Sequence, residues 1–303
     1  MNAENLRRLG LVLGALLLLW AILALWQRSG RDTLAQFTPT RIDTATVDTV
    51  TIRHAADTVR LVRGARGWTV NGFAVDTAAV KPFLGALGDT AARGELVSES
   101  AASQASLGVD SASAHWLQVK AGARTLVTYV VGHRDAGYDG VYLRLPGQAT
   151  TYDVRARLGD YMDKSVSDWR DKRIVAVAPE SVSTIDVQRG RTSYRIAKQG
   201  TTWSLEKRGP ADSAQIADLL GRLKDLNATG FATPAQADSA NFKTPDRRVR
   251  LSAAGGRMLT ELAFDSTAAG FWVRRDSLGT VFLLDNYAVN QITPADSSLR
   301  KKK

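Results

Sequence analysis

The chain repeats itself, and that repeat limits the folds open to it more than any other feature. Val50, Ile52, Val59, Leu61, Trp68 and Val70 recur 135 residues later as Ile185, Val187, Tyr194, Ile196, Trp203 and Leu205. Every position stays apolar, and tryptophan falls on tryptophan. With one residue inserted, Asp76, Val80, Phe83, Leu84 and Leu87 correspond to Asp212, Ile216, Leu219, Leu220 and Leu223. Shorter offsets then align Leu117 and Val119 with Val249 and Leu251, and Val141-Tyr142-Leu143-Arg144 with Phe271-Trp272-Val273-Arg274. Tyr152 meets Phe282 in the same alignment.

Each copy has one grammar. Three short segments of period-two alternation, rich in β-branched residues, predict three strands. An Asp-capped helix follows, cleaner in the second copy, where Asp212 precedes Ser213–Leu226 and the apolar residues fall on one stripe. In the first copy Pro82 lies too deep for a regular helix capped by Asp76, so that helix is expected to start later or to kink. A short helical stretch comes next, then strands at His115–Lys120, Thr125–Val131, Val141–Leu145 and Thr151–Val154. A helix stripe and half-buried strands satisfy one another by packing together. The expected fold class is therefore α+β: an N-terminal transmembrane helix and two tandem duplicated modules, each a mainly antiparallel sheet packed with a helix.

Ahead of the repeat, Leu9–Trp26 runs for eighteen residues without a polar side chain. As a helix this is about 27 Å, near the ~30 Å hydrocarbon core of a bilayer. Arg7-Arg8 on one side and Trp26, Arg28 and Arg31 on the other supply interfacial anchors. A cleaved signal peptide would have a shorter apolar region and small residues at its end, where this chain has Leu25-Trp26-Gln27-Arg28. The segment reads as a retained single-pass anchor in a bacterial inner membrane, with the bulk of the chain extracytoplasmic. Gly10 and Gly14 form a G-x-x-x-G pair, a candidate for helix packing in the membrane.

The expected layout is a cytoplasmic tail over 1–8, the anchor over 9–26, a tether over 27–41, modules over 42–165 and 174–296, and a basic tail over 297–303. The charged run Asp163–Arg173 joins the modules. Within it Trp169, Arg170, Lys172 and Arg173 are the candidate inter-module surface.

The residue types exclude much chemistry. There is no cysteine, so disulfides, thiolate metal sites and thiol catalysis are ruled out. The net charge of +10 owes four of its positive charges to Arg300-Lys301-Lys302-Lys303. The remaining arginines are scattered singly along strand-like segments, without the interleaved aromatics of a nucleic-acid binder, so no nucleic-acid partner is expected. Phosphate-loop, dinucleotide-loop, nucleophile-elbow and zinc-protease motifs are all missing from the sequence. His54 falls at a strand end, His115 opens a strand and His133 follows one in a turn, a dispersal that predicts no metal cluster. The DAGYDG stretch at Asp135–Gly140 lacks the ligand spacing of a calcium loop and reads as a hairpin connection. The pairs Asp160/Asp163 and Asp168/Asp171 read as solvated carboxylates, and Trp68 and Trp203 as core anchors. No catalytic residue, cofactor or small-molecule substrate is indicated.

With the anchor, the duplication and the segment Trp169-Arg170-Asp171-Lys172-Arg173-Ile174 taken together, the chain resembles the bacterial DUF4340 family over roughly residues 42 to 290. Members of that family look like an anchor followed by units of strand, strand, Trp-containing strand and Asp-capped helix. Many are encoded beside gliding-motility-type ABC transporters, which implies an accessory envelope protein. The resemblance supplies no catalytic residues. The resulting expectation is a non-enzymatic, membrane-anchored partner of an ABC-type transport or gliding-associated complex, with a transporter permease as the natural partner. The rivals are an envelope glycan-binding module, motivated by the positive charge, and a hydrolase with a carboxylate site between the modules.

Overall fold

The computed structural model describes Trp20 and residues 36–89, 91–276 and 279–301. The chain divides into two units at Arg170/Asp171. In module 1 the strands are β1 (Thr49–His54), β2 (Asp57–Gly64), β3 (Gly67–Val70), β4 (Phe73–Ala74), β5 (Gly94–Ser98), β6 (His115–Ala121), β7 (Arg124–Arg134), β8 (Val141–Arg144) and β9 (Thr151–Val154). Its helices are α1 (Thr77–Leu87), α2 (Gly159–Met162) and α3 (Val166–Trp169). Module 2 has β10 (Thr184–Arg189), β11 (Thr192–Gln199), β12 (Thr202–Leu205), β13 (Gly209–Pro210), β14 (Gly230–Phe231), β15 (Arg247–Ser252), β16 (Met258–Thr267), β17 (Gly270–Arg275) and β18 (Val281–Leu284). Its helices are α4 (Ser213–Lys224), α5 (Pro234–Ser239) and α6 (Asn286–Ile292).

Both modules build a nine-stranded sheet in one strand order. It is β4-β3-β2-β1-β6-β7-β8-β9-β5 in the first and β13-β12-β11-β10-β15-β16-β17-β18-β14 in the second. The residue registers agree as well as the order. Val50 faces Leu61 and Val119, and its counterpart Ile185 faces Ile196 and Leu251. Ile52 faces Val59 and Leu117, and Val187 faces Tyr194 and Val249. A one-residue slip would turn each of these side chains to the wrong face, so the apolar alternation sets the register.

Each sheet buries both faces along part of its width. On one face, α1 packs Val80, Phe83 and Leu87 against the sheet, and α4 packs Ile216, Leu219, Leu220 and Leu223. At roughly 1.5–3 kcal/mol for each buried aliphatic side chain, this stripe outweighs the ~1 kcal/mol of a helix cap. On the other face, the segment joining β5 to β6 lays Leu107, Val109 and Ala114 over Trp116, Val130 and Tyr142. The alternate residues Tyr129 and Val131 of the same strand point into the main core. In module 2, Phe242 and α5 cover Ala263, Val281 and Trp272 in the corresponding place. Arg144 and Arg274, matched in the sequence repeat, both hold this crossing segment. Arg144 Nε donates to the Val109 carbonyl at 2.7 Å, and the Arg274 guanidinium lies 4.5 Å from the Phe242 ring centre.

Several boundaries differ from expectation, each for a packing reason. Helix α1 starts at Thr77 on the Asp76 cap and keeps the exposed Pro82 inside it, without the later start that proline suggested. The cap and the buried stripe hold the helix despite the missing N–H. The run 163–170 is not a linker. Ser165 and Asp168 form a capping box for α3, and Trp169 is fully buried in the module 1 core between Phe83 and Tyr161. The end of the tether is docked: Phe37 exchanges both backbone hydrogen bonds with Gly94 and stacks on Tyr152 at 4.7 Å. The C-terminal run is docked too, since Leu299 is buried and Arg300 bridges Ala211. These pieces pair with strand ends that would otherwise stand open.

His133 belongs to β7 instead of a turn, because the crossing segment extends that strand's pairing by accepting its N–H at the Leu107 carbonyl. The approach needs glycine on both sides. A Cβ on Gly132 would lie 2.3 Å from the Leu107 carbonyl oxygen, and Gly108 sits at φ +68 against the His133 ring. Among the described residues, no helix is long and apolar enough to cross a membrane. The expected anchor over 9–26, with Gly10 and Gly14, lies outside the described residues apart from Trp20, which is helical and exposed.

Candidate functional site

The internal repeat identifies a place where the two copies differ in chemistry. His54 ends β1 and His115 opens β6, one step beyond the last β1–β6 pair, Arg53 facing Trp116. Their rings stack at 4.2 Å with 17° between planes. His115 is buried, and its Nε2 lies 3.2 Å from Asp163 Oδ1, on the residue that follows α2. His54 Nδ1 lies 3.4 Å from the Ala114 carbonyl oxygen, supplied by the crossing segment. Burial holds the His115 pKa below the ordinary imidazole value of 6.5, and the stacked His54 lowers it further while Asp163 opposes the shift. His115 therefore accepts a proton less readily than a free imidazole.

His115, Met162 and Asp163 form a wall between two clefts of about 510 and 400 Å³. The larger one reaches His133 and Asp135, and the smaller one reaches His54, Asp57 and Ser165. Among the described residues, no three metal-ligating side chains are grouped to hold an ion. The arrangement suits proton-linked recognition of a polar group.

In module 2 the same positions carry arginine. Arg189 ends β10, Arg247 opens β15, and the register pairs them directly. The residue after α6 is Thr293, where module 1 has Asp163. The correspondence is geometric as well as sequential, because Arg247 Nη1 donates to Thr293 Oγ1 at 2.7 Å, and also to Asn290 Oδ1 at 2.8 Å. The Arg247 guanidinium rests 4.8 Å from the centre of the Phe271 ring. Burial first, then the facing Arg189, lower the Arg247 pKa, with Asp246 opposing. Beside this pair, Arg189 lines a cleft of about 380 Å³ together with Arg222 and Asn290.

The residues expected at an inter-module surface are divided between the two units. Trp169 is not on a surface, because its indole fills the module 1 core. Arg170, partly buried, lies 3.8 Å from the centre of the Phe73 ring and bridges Val75, and burial lowers its pKa. In module 2, the Lys172 carbonyl accepts from the Ala228 N–H at 2.7 Å, and Arg173 bridges Asn227 and pairs with Asp171 at 3.7 Å. The carboxylates read as solvated have partners of their own. Asp160 accepts from Arg134 and Arg157, and Asp168 serves the α3 cap. Trp203 is buried as expected, while Trp68 is half-buried beneath Arg63. Sequence inspection missed the histidine pair. Adding the β1–β6 pairing to the repeat was the signal that would have found it.

A family model, described as Domain of unknown function (DUF4340), matches residues 68–245, more than half of the chain. The chain belongs to the DUF4340 family. The DUF4340 match begins in β3 of module 1 and ends just before β15 of module 2, so it spans parts of both copies. His115, Asp163 and Arg189 fall within the DUF4340 match, and His54, Arg247 and Thr293 lie outside it. No curated protein and no solved structure matches the chain.

Proposed function

We propose that this DUF4340 protein is a non-enzymatic, membrane-anchored accessory protein whose two modules bind a partner protein at the cell envelope. The apolar run Leu9–Trp26 supports the anchor, and membership of the DUF4340 family, which the sequence resemblance links to ABC transporter genes, motivates an ABC-type transport or gliding-associated complex as the partner assembly. One observation carries the reading. A single fold has been kept twice, strand for strand, while the equivalent position at the end of the central strand pair has become His-His-Asp in one copy and Arg-Arg-Thr in the other. Shared frame with divergent rims is how one chain offers two distinct contact points to one assembly.

The test is purification of the full chain from membranes in mild detergent, with identification of what accompanies it. Recovery of a transporter permease or its neighbours is the expected result. Repeated purification of the chain alone, or extraction of the chain by salt without detergent, overturns the proposal.

A further inference from the structure

We propose that module 2 carries a carboxylate slot, formed by Arg189 and Arg222 in the cleft beside Arg247, that receives an Asp or Glu side chain from an acidic segment of a partner protein. The source of that segment rests on the partner-binding reading above; the slot itself does not.

Two cations directly opposite one another on adjacent strands repel, and a sheet normally supplies an opposite charge at such a place. Module 1 has a carboxylate at this place from within its own chain. There the stacked pair is His54 and His115, and the carboxylate of Asp163 reaches His115 at 3.2 Å. Module 2 has stronger, permanently charged residues at the same two positions and a neutral Thr293 in the carboxylate's place.

Nearby acids offset this only in part, Asp246 opposing the lowering of the Arg247 pKa. Asp246 accepts from the Ser266 N–H at 2.8 Å and from its hydroxyl at 2.6 Å. Asp296 is held by Arg208 and Arg300. Asp218 lines the cleft, but among the described residues none of Arg189, Arg222 and Arg247 forms an ion pair. Arg189 is exposed at the rim, so an incoming carboxylate meets it without the chain having to rearrange.

Charge-assisted bonds from a guanidinium to a carboxylate take a forked geometry that suits this ligand. The amides of Gln215 and Gln291 add further donors around the cleft. An acidic peptide is favoured over a polymer because the occupant in the sister module is itself an aspartate side chain, carried on the turn after a short helix. The volume of about 380 Å³ suits one or two side chains.

The experiment measures binding of a fluorescent peptide alternating Glu and Gly to the full chain in mild detergent, at low and at physiological salt. A Gln-for-Glu peptide, polygalacturonate and inorganic phosphate serve as competing probes. The expected result is binding of the Glu peptide alone, weakened by salt, and lowered about tenfold or more in Arg189→Gln. Thr293→Asp, which installs the sister module's own carboxylate, is expected to abolish binding. Should that buried substitution fail to fold, the exposed Arg189→Gln decides the matter. Equal binding by wild type and Arg189→Gln overturns the slot, as does no binding by wild type at low salt. Preference for polygalacturonate or phosphate overturns the peptide assignment. The two proposals fail separately: a partner recovered equally well by Arg189→Gln removes the slot and leaves the accessory role, whereas peptide binding without any co-purified partner does the reverse.

Discussion

Trp169 and Leu299 occupy the same place in their modules, and the carbonyl of each accepts the N–H of the helix-capping aspartate, Asp76 or Asp212. Both side chains are buried, so each fastens the end of its module to the first helix. Trp169→Ala should cost about 3–5 kcal/mol and Leu299→Ala about 2–5 kcal/mol, read as shifts of the chemical-denaturation midpoint. A surface tryptophan would lose far less, so a change under about 0.5 kcal/mol at Trp169 would contradict its burial. His115 allows a second test at this scale. Its pKa is depressed in the folded state, so the unfolded chain takes up a proton first as pH falls. The stability associated with neutral His115 is therefore complete above pH 6.5 and declines as pH drops from 6.5 towards the folded-state value. Denaturation midpoints recorded from pH 8 to pH 5 should fall in the wild type and flatten in His115→Gln. The carboxylates lowered by their partners, Asp160, Asp246 and Asp296, lose their contribution only below their ordinary value of 3.8, which keeps the two effects apart.

At the level of elements, helices α1 and α4 show what local chemistry contributes once packing is shared. Asp212 accepts from the N–H groups of both Ala214 and Gln215, so Asp212→Ala should destabilise module 2 by about 1 kcal/mol. Pro82 leaves the Ala78 carbonyl without its usual donor, and the side chain is exposed. Pro82→Ala should therefore raise the stability of module 1, by about 1–2 kcal/mol after the entropy that proline removes from the unfolded chain is deducted. Urea titration reads both, and a loss of stability in Pro82→Ala would mean that the ring packs against something. The central strands were legible because alternation with a buried face leaves one register, as Val50 against Leu61 illustrates. The edge strands were not. β4, β13 and β14 are two residues long, too short for any period to show. The crossing segments escaped notice because Leu107, Val109 and Phe242 lie in irregular chain with no pattern of their own. The histidine pair was hidden for a different reason: His54 and His115 become neighbours only through strand pairing across 61 positions of sequence.

For the whole molecule, duplication separates what holds the chain together from what distinguishes its parts. The main cores draw on different residues, 42–169 for one and 174–299 for the other. Each sheet also carries its own cover on the second face and its own closing segment at the edge. Domains of this size with complete cores fold cooperatively. Residues 36–170 and 171–301, produced separately, should each give a single unfolding transition by heat and by urea, with near-ultraviolet dichroism from the buried tryptophans Trp169 and Trp203. Omitting Phe37 from the first fragment, or Leu299–Lys301 from the second, should lower its stability, because each removes a pairing that covers a strand end. A fragment that collapsed without fixed tertiary signals would show that the copies depend on one another, and the difference between His115 and Arg247 would then have to be explained by that dependence. Two independent transitions would instead leave each copy free to diverge at its rim without endangering the other, which is the condition that a pair of chemically distinct binding positions requires.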